Sequence, residues 1–238
     1  MTKIFACDLD NTLIHSYKRR RADDICVELY DGHEQSFISP RALDLLKKVA
    51  AQMLFVPITT RSIAQYRRIH WTEDFRLRYA VTSNGAYLLD GDTQENFLRD
   101  EVLPYAAELS AQCEKFSNDD RFDICRIVDD SFLFLRGRDD VDAATLTFDT
   151  SLTAQYTGKK IYLFPPPLNK GNALKLLTKK FPTEKIFCAG DSEIDLPMLK
   201  LADVAFAPKT LSDDFVTCAE APAFAEEFLP KILEACNA

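Results

Sequence analysis

The sequence predicts an α/β fold in which a doubly wound parallel sheet carries an inserted, smaller α+β domain. Short apolar strings alternate with segments of helical periodicity at both ends of the 238-residue chain. Such alternation is typical of a parallel sheet covered by helices on both faces. Residues 84–165 differ, because hairpin signals and a helical segment succeed one another there. We therefore expect residues 1–83 and 166–238 to form the core and residues 84–165 to form the inserted domain.

The first elements follow from local signals. Ser39 followed by Pro40 is an N-cap with proline at the first helical position, and apolar residues at helical spacing continue to position 53. A second helix is expected from Ser62 towards Trp71. Apolar or alternating strings predict strands at residues 3–7, 26–30, 35–38 and 54–58, the middle two joined by the Asp31-Gly32 turn.

The later elements repeat the pattern. A helix is predicted at residues 103–116, and residues 124–128 and 132–136 form a hairpin around Asp129-Asp130. Beyond residue 165 the alternation of helix and apolar strand returns. There the spacing predicts helices at residues 174–181 and 194–201 and strands at residues 185–189 and 203–206.

Composition excludes several classes of protein. The pI near 5.0 argues against a nucleic-acid binder, because phosphate backbones are held by clustered Lys and Arg. No apolar run approaches the ~20 residues of a membrane-spanning helix. Seven scattered cysteines without a Cys-x-x-Cys pair indicate reduced, structural thiols. We expect a cytoplasmic protein with neither a nucleic-acid nor a membrane partner, and the sequence does not determine its oligomeric state.

The ends of the predicted strands supply the candidate site. Ligands of open parallel sheets bind outside the carboxyl ends of the strands. The polar residues there are Asp8 and Asp10 after the first strand, Thr59 and Arg61 after the second, Asp191 and Asp195 after a later one, and Lys170 just ahead of a helix. An aspartate after one strand is explained by N-capping alone, but several carboxylates meeting at one edge repel each other unless a cation lies among them. The sequence therefore predicts a site for Mg²⁺, which prefers carboxylate oxygens.

Four ordered motifs resemble those of the haloacid dehalogenase superfamily of phosphatases and phosphomutases. They are Asp8-Leu9-Asp10-Asn11-Thr12 after an apolar strand, Val56-Pro57-Ile58-Thr59, Asn169-Lys170-Gly171 and Gly190-Asp191-Ser192-Glu193-Ile194-Asp195. The insertion falls between the second and third motifs, as in members with a C2-type cap, and the string from Val81 to Ala86 resembles the same members. They include Cof-type proteins and phosphatases for sucrose phosphate, trehalose phosphate and mannosyl-3-phosphoglycerate. Asn11 stands where many relatives have glycine, but asparagine tolerates the left-handed conformation better than most residues, so a tight turn there remains feasible.

The resemblance implies a Mg²⁺-dependent phosphatase that acts on a small phosphorylated metabolite, such as a sugar phosphate. Asp8 would be the nucleophile that forms an aspartyl-phosphate, and Asp10 the general acid and base. Thr59 and Lys170 would bind the phosphate. The metal would be held by Asp8, Asp191 and the backbone carbonyl of Asp10, with Asp195 supporting the site. Arg61 and Asn84 are further candidates for contact with substrate.

Two other functions remain possible from the sequence, and a third fits poorly. A phosphohexomutase would use the same motifs, and a non-catalytic phosphate-binding protein would use the same fold. A dehalogenase fits poorly, because the metal-binding acids Asp10 and Asp191 are present. Substrate specificity is expected to come from the basic residues of the insertion, which are Arg99, Arg121, Arg126, Arg136, Arg138, Lys159 and Lys160.

Overall fold

The computed structural model of the protein describes residues 2–237. The strands are β1 (Thr2–Cys7), β2 (His15–Ser16), β3 (Ile25–Tyr30), β4 (His33–Ile38), β5 (Leu54–Pro57), β6 (Tyr79–Thr82), β7 (Tyr87–Asp90), β8 (Thr93–Asn96), β9 (Phe122–Val128), β10 (Phe132–Gly137), β11 (Thr153–Thr157), β12 (Lys160–Phe164), β13 (Thr183–Ala189), β14 (Val204–Pro208) and β15 (Val216–Cys218). The α-helices are α1 (Pro40–Gln52), α2 (Ile63–Tyr66), α3 (Arg99–Val102), α4 (Ala106–Ser117), α5 (Lys170–Lys180), α6 (Leu196–Leu199) and α7 (Phe224–Asn237). Short 3₁₀ turns occur at Tyr17–Arg19, Ser83–Gly85, Leu103–Tyr105, Ala143–Thr145 and Glu193–Asp195.

The core is a five-stranded parallel sheet in the order β15-β14-β13-β1-β5. Strand β1, which lies between β13 and β5, is buried on both faces. Phe5 and Cys7 pack on the side that holds α1 and α7, whereas Ile4 and Ala6 pack on the side that holds α5 and α6. The predicted doubly wound parallel sheet is confirmed.

Two small antiparallel sheets flank one end of this core. Strands β6, β7 and β8 form a meander that adjoins β5 through a parallel bridge between Ile58 and Val81. Strands β3 and β4 form the expected hairpin, with β2 added beside β4. In the tight turn after β1, Asn11 has a φ of 62° and so adopts the left-handed conformation that asparagine tolerates.

A separate antiparallel sheet in the order β11-β12-β10-β9 lies within the predicted insertion. Helix α4 packs against β9 and β10 and covers one face of this sheet. The combination of an antiparallel sheet with a helix confirms the α+β character of the inserted domain. Its boundaries at residues 84 and 165 stay a prediction. We call the four-stranded sheet and α4 the cap.

One predicted helix is much shorter than expected. The segment from Ser62 towards Trp71 makes a single helical turn, α2, with Ser62 and Gln65 forming a capping box. The chain then leaves the helix, because Ile69 forms an antiparallel bridge with Glu28 and the His70 amide donates to the Val27 carbonyl at 2.8 Å. Pairing with the hairpin therefore overrides the local helical spacing.

The cysteines are free thiols, and the sulfurs of Cys113 and Cys125 lie 3.8 Å apart. No helix within residues 2–237 is both long and apolar enough to cross a membrane.

Candidate active site

Asp8 and Lys170 form the centre of the predicted site. Asp8 follows β1 at the carboxyl edge of the sheet, where its amide donates to the Ala189 carbonyl at 3.0 Å. Lys170 opens α5, whose N-cap Asn169 accepts a hydrogen bond from the Asn172 amide. The Lys170 side chain is 1% exposed, and its ammonium donates to Asp8 Oδ1 and, at 2.6 Å, to Asp195 Oδ1. A buried lysine is thus neutralised by two carboxylates.

Asp195 is fixed by the turn that follows β13. Its Oδ2 accepts from the Asp191 amide at 3.1 Å and from the amide and hydroxyl of Ser192 at 3.0 and 2.9 Å. Gly190 allows this approach, because a Cβ there would lie 2.7 Å from Asp195 Cγ. Both oxygens of Asp195 are therefore committed to protein donors.

Asp191 lies beside Asp8 with fewer partners. The Thr12 hydroxyl donates to Asp191 Oδ1 at 3.0 Å and lies 3.4 Å from Asp8 Oδ2. Burial, followed by the negative charges of Asp195 and Asp10, raises the pKa of Asp8 to about 7, although Lys170 opposes the shift. Burial and the charges of Asp8 and Asp195 raise the pKa of Asp191 to about 8. Two carboxylates thus lack an adequate counter-charge.

This arrangement has the chemistry of a magnesium site. Asp8, Asp191 and Asp195 each offer a carboxylate oxygen, and these oxygens lie within 4.8 Å of one another. Hard oxygen donors of this kind suit Mg²⁺. Because the Asp195 oxygens already accept hydrogen bonds, Asp8 and Asp191 are the carboxylates with free lone pairs. The residues present therefore fit a divalent cation.

Asp10 lies at the same edge but is turned towards Arg61. The Arg61 guanidinium donates to Asp10 Oδ2 and Oδ1, each at 2.7 Å, and to Glu28 Oε2 at 2.8 Å. Burial raises the pKa of Asp10, but the charge and hydrogen bonds of Arg61 outweigh it and leave that pKa lowered. Glu28 is held in turn by Ser36 and Arg68. Arg61 thus joins the site to the β3–β4 hairpin.

Thr59 and Asn84 are packed together below the surface. Thr59 is fully buried, its Oγ1 accepts from the Arg61 amide at 3.1 Å, and its carbonyl accepts from the Asn84 amide at 2.9 Å. Asn84 is 1% exposed, has a φ of 58°, and donates through Nδ2 to the Leu168 carbonyl. Its Oδ1 is buried without a partner within residues 2–237. Asn84 lines a small cavity beside Pro165 and Pro166, and Gln155 lines the same cavity.

A cleft of about 370 Å³ separates the core from the cap and opens onto Asp10 and Arg61. Its core wall includes Thr60, Glu28 and Arg68. Its cap wall is supplied by alternate residues of the cap sheet, including Arg126, Phe132, Phe134, Arg136, Lys160 and Tyr162. The core and cap thus enclose a space for a small molecule.

Comparison with known proteins agrees with this geometry. Residues 111–220, which include Lys170 and Asp191, match the family model described as haloacid dehalogenase-like hydrolase. The matched segment, which is nearly half of the chain, thus resembles haloacid dehalogenase-like hydrolases. No curated protein matches it in sequence.

Solved structures are similar in fold over nearly the whole chain. Sucrose-phosphatase from Synechocystis is 12% identical with a TM-score of 0.61, and the match covers 98% of this chain and 97% of the other. The C-terminal domain of trehalose-6-phosphate phosphatase from C. albicans is 13% identical with a TM-score of 0.63, covering 98% and 92%. A phosphatase of the haloalkanoate enzyme superfamily from Bacteroides thetaiotaomicron is 16% identical with a TM-score of 0.59, covering 100% and 96%. The chain thus shares its fold with these phosphatases over nearly its whole length.

Sequence reasoning missed several residues of the candidate site. Glu28 lies on a hairpin strand with no motif around it, and only the folded chain brings it to Arg61. Tyr162 lies in an apolar strand, where nothing distinguishes the residues that face the cleft. Thr12 could have been found, since it is the last residue of the first motif.

Proposed function

We propose that this protein is a Mg²⁺-dependent phosphomonoesterase that acts on a small phosphorylated metabolite, namely a sugar phosphate, through an aspartyl-phosphate on Asp8. The observation that carries the proposal is the position of Asp8. Its carboxylate contacts the buried ammonium of Lys170 and lies close to the carboxylate of Asp191, and Asp10, two residues along the chain, lines the cleft beneath the cap. A carboxylate so placed is a competent nucleophile for a phosphoryl group.

The reacting atom is Asp8 Oδ2, since Oδ1 is held by Lys170. In the first step Oδ2 forms a bond to phosphorus, the ester P–O bond breaks, and the leaving oxygen receives a proton from Asp10. In the second step water attacks the phosphorus of the aspartyl-phosphate and gives its proton to Asp10, and phosphate and Asp8 are released.

Asp10 has to leave Arg61 to perform these proton transfers. While Arg61 donates to both oxygens, the carboxylate is ionised and has no proton to give. A rotation of the half-exposed Asp10 side chain into the cleft frees it from the ion pair. Arg61 then keeps its bonds to Glu28 and Ser36.

The remaining residues position Asp8 and the phosphate and stabilise their negative charge. Lys170 neutralises the phosphate and orients Asp8, and the hydroxyl of Thr59 is the candidate donor to a phosphate oxygen. Asp195 holds Lys170 and the backbone of Asp191 in place. Mg²⁺, held by Asp8, Asp191 and the Asp10 carbonyl, would supply positive charge to the transferring phosphoryl group.

Three observations support a sugar phosphate in the cytoplasm. Similar solved structures are named as a sucrose-phosphatase in complex with sucrose and phosphate and as trehalose-6-phosphate phosphatases. The cleft volume suits one small metabolite rather than a polymer. The free cysteines favour a reducing compartment.

The test is phosphate release from p-nitrophenyl phosphate and from a panel of hexose and disaccharide phosphates, with and without Mg²⁺. Wild-type protein should release phosphate only with Mg²⁺, and Asp8→Asn should lower the rate by at least about 1,000-fold. Asp44→Asn, on the exposed side of α1, removes the same charge and should leave the rate unchanged. Phosphate release that is independent of Mg²⁺, or that survives Asp8→Asn, would disprove the mechanism. Isomerised rather than dephosphorylated hexose 1-phosphate would identify a mutase.

A further inference from the structure

One face of the cap sheet presents a cluster of cations to the cleft. Strand pairing places Arg136 opposite Lys160, and Phe134 opposite both Tyr162 and Arg126. Residues opposite one another across paired strands share a face. The other face carries buried Leu133 and Leu135. The cleft face of the cap sheet therefore combines three aromatic rings, those of Phe132, Phe134 and Tyr162, with three positive charges.

Two of these cations have no acidic partner. Within residues 2–237, neither Arg126 nor Lys160 forms an ion pair, whereas Arg136 contacts Asp123 at 2.9 Å. Arg126 lies over the Phe134 ring, with its guanidinium carbon 5.7 Å from the ring centre. Side chains in this position are held against the sheet while their charged ends stay available to a ligand.

The core wall of the cleft does not supply a counter-charge for Arg126 and Lys160. Its two acids, Asp10 and Glu28, are already matched by the guanidinium groups of Arg61 and Arg68. The cleft thus has a surplus of positive charge, although residues 84–165 as a whole hold 16 acidic and 8 basic residues. The acids of the cap lie elsewhere on its surface, so the cations are concentrated where a substrate would lie.

The cations lie away from the expected position of the reacting phosphate. Tyr162 lines the cleft together with Asp10 and Thr60, whereas the cleft lining does not include Asp8 or Lys170, which would hold the reacting phosphate. Lys160 is two residues further along β12, about 7 Å away, and Arg126 is two strands across, about 10 Å away. A substrate no larger than a sugar, with its reacting phosphate at Asp8, would therefore place its other end beside these cations.

We infer that the natural substrate carries a second anionic group, a carboxylate or another phosphate, and that Arg126 and Lys160 bind it at the far end of the cleft. The inference rests on the proposed function and specifies its substrate class. Arginine matches either anion with two parallel hydrogen bonds, and lysine adds a point charge. Phe134 and Tyr162 then cover the part of the substrate that joins its two anionic ends.

Binding to the Asp8→Asn variant, measured by calorimetry, tests the inference without turnover. Three matched pairs differ only in the second anion: 6-phosphogluconate and glucose 6-phosphate, 3-phosphoglycerate and glycerol 3-phosphate, and fructose 1,6-bisphosphate and fructose 6-phosphate. We expect the two-anion member of at least one pair to bind at least tenfold more tightly. Whether the pair that responds carries a carboxylate or a second phosphate identifies the anion.

Variants of the cap then show whether Arg126 and Lys160 cause the preference for the compound with two anions. The double variant Arg126→Gln, Lys160→Gln should abolish the preference and leave binding of the monophosphate within about twofold. The matched control Arg121→Gln, Lys159→Gln removes the same charge from cap residues that pair with Asp119 and Asp139 outside the cleft, and should keep the preference. Equal affinities within all three pairs, or equal losses in both double variants, would overturn the inference. Failure of the proposed function is separate, because it is read from the absence of Mg²⁺-dependent phosphate release by wild-type protein.

Discussion

Arg61 holds Asp10 by two hydrogen bonds of 2.7 Å and Glu28 by a third of 2.8 Å, so a single guanidinium connects the candidate general acid to the β3–β4 hairpin. Parallel hydrogen bonds to a carboxylate fix its orientation as well as its charge. The pair therefore stabilises the ionised form of Asp10, and its proton-donating form requires a different side-chain position. Arg61 is a positioning residue for Asp10 in this arrangement.

Arg61→Gln should raise the pKa of Asp10, because burial would then act without the opposing guanidinium. The measurement is a ¹³C NMR titration of aspartate carboxyl carbons, with the Asp10 signal assigned through Asp10→Asn. Arg68→Gln is the control, since Arg68 contacts Glu28 and not Asp10. An Asp10 pKa that is unchanged or lower in Arg61→Gln would contradict the prediction.

The edge residues of the core could be predicted from the sequence because parallel topology determines their place. Asp8 and Asp191 end neighbouring strands, and Lys170 opens the helix ahead of the second of them. Once the strands were recognised as parallel, no further information was needed to bring these side chains together. Asp195 follows from its position one turn after Asp191.

The cleft could not be predicted because its walls depend on long-range pairing. Strand β10 reads Phe132-Leu133-Phe134-Leu135, which is apolar on both faces, so alternation does not show which residues face the cleft. Only the register with β9 and β12 places Phe134 beside Arg126 and Tyr162. The place of Asn84 could not be predicted either, because it lines the small cavity beside Pro165 and Pro166 and not the cleft that Arg61 lines.

Mg²⁺ affinity should increase with pH. In the metal-free protein the pKa values of Asp8 and Asp191 are raised to about 7 and about 8, so below pH 7 both carboxyls are largely protonated. A cation binds only the ionised forms, and it therefore displaces protons that are present at low pH and absent at high pH. The affinity should rise by up to about tenfold per pH unit for each proton displaced between pH 6 and pH 8, and level off above pH 9.

Calorimetry at pH 6, 7, 8 and 9 in buffers of different ionisation enthalpy measures both the affinity and the protons released. Asp191→Asn should remove one of the released protons and weaken binding. Asp213→Asn, at an exposed position far along the chain, should change neither quantity. A flat affinity across this range, with no proton release, would contradict the assignment of Asp8 and Asp191 as the ligands.

Gly190→Ala should disable the site by displacing Asp195. The new methyl group would lie 2.7 Å from Asp195 Cγ, which is closer than such atoms approach. Moving Asp195 would break its contacts with Lys170 and with the Ser192 amide. We expect a loss of about 1–3 kcal/mol in the free energy of unfolding from overpacking, and at least tenfold in the rate of phosphate release from the misplaced lysine.

Urea unfolding and the p-nitrophenyl phosphate assay give the two readouts. Gly137→Ala is the matched control, since its methyl group would meet Val141 at an ordinary 3.6 Å. It should be close to wild type in both measurements. A Gly190→Ala protein with full activity would show that the position of Asp195 does not matter to the reaction.

Asp129, at the tip of the β9–β10 hairpin, links the cap to the core through hydrogen bonds. Its carboxylate accepts from the Ile63 amide at 2.8 Å and from the Ser83 hydroxyl, and its carbonyl accepts from the Tyr87 hydroxyl at 3.2 Å. Asp129→Ala removes the two carboxylate contacts and leaves the carbonyl. Hydrogen bonds to a charged group contribute about 1.5–3 kcal/mol, so the closed position of the cap should lose about 2 kcal/mol relative to open ones. Amide hydrogen exchange should then increase at residues 60–66 and 82–86, and KM should rise more than kcat falls.

Asp130→Ala is the control, because Asp130 also has a positive φ but is exposed and forms no side-chain hydrogen bond within residues 2–237. Equal exchange in the two variants would mean that hairpin strain, and not the Asp129 carboxylate, determines how the cap is held.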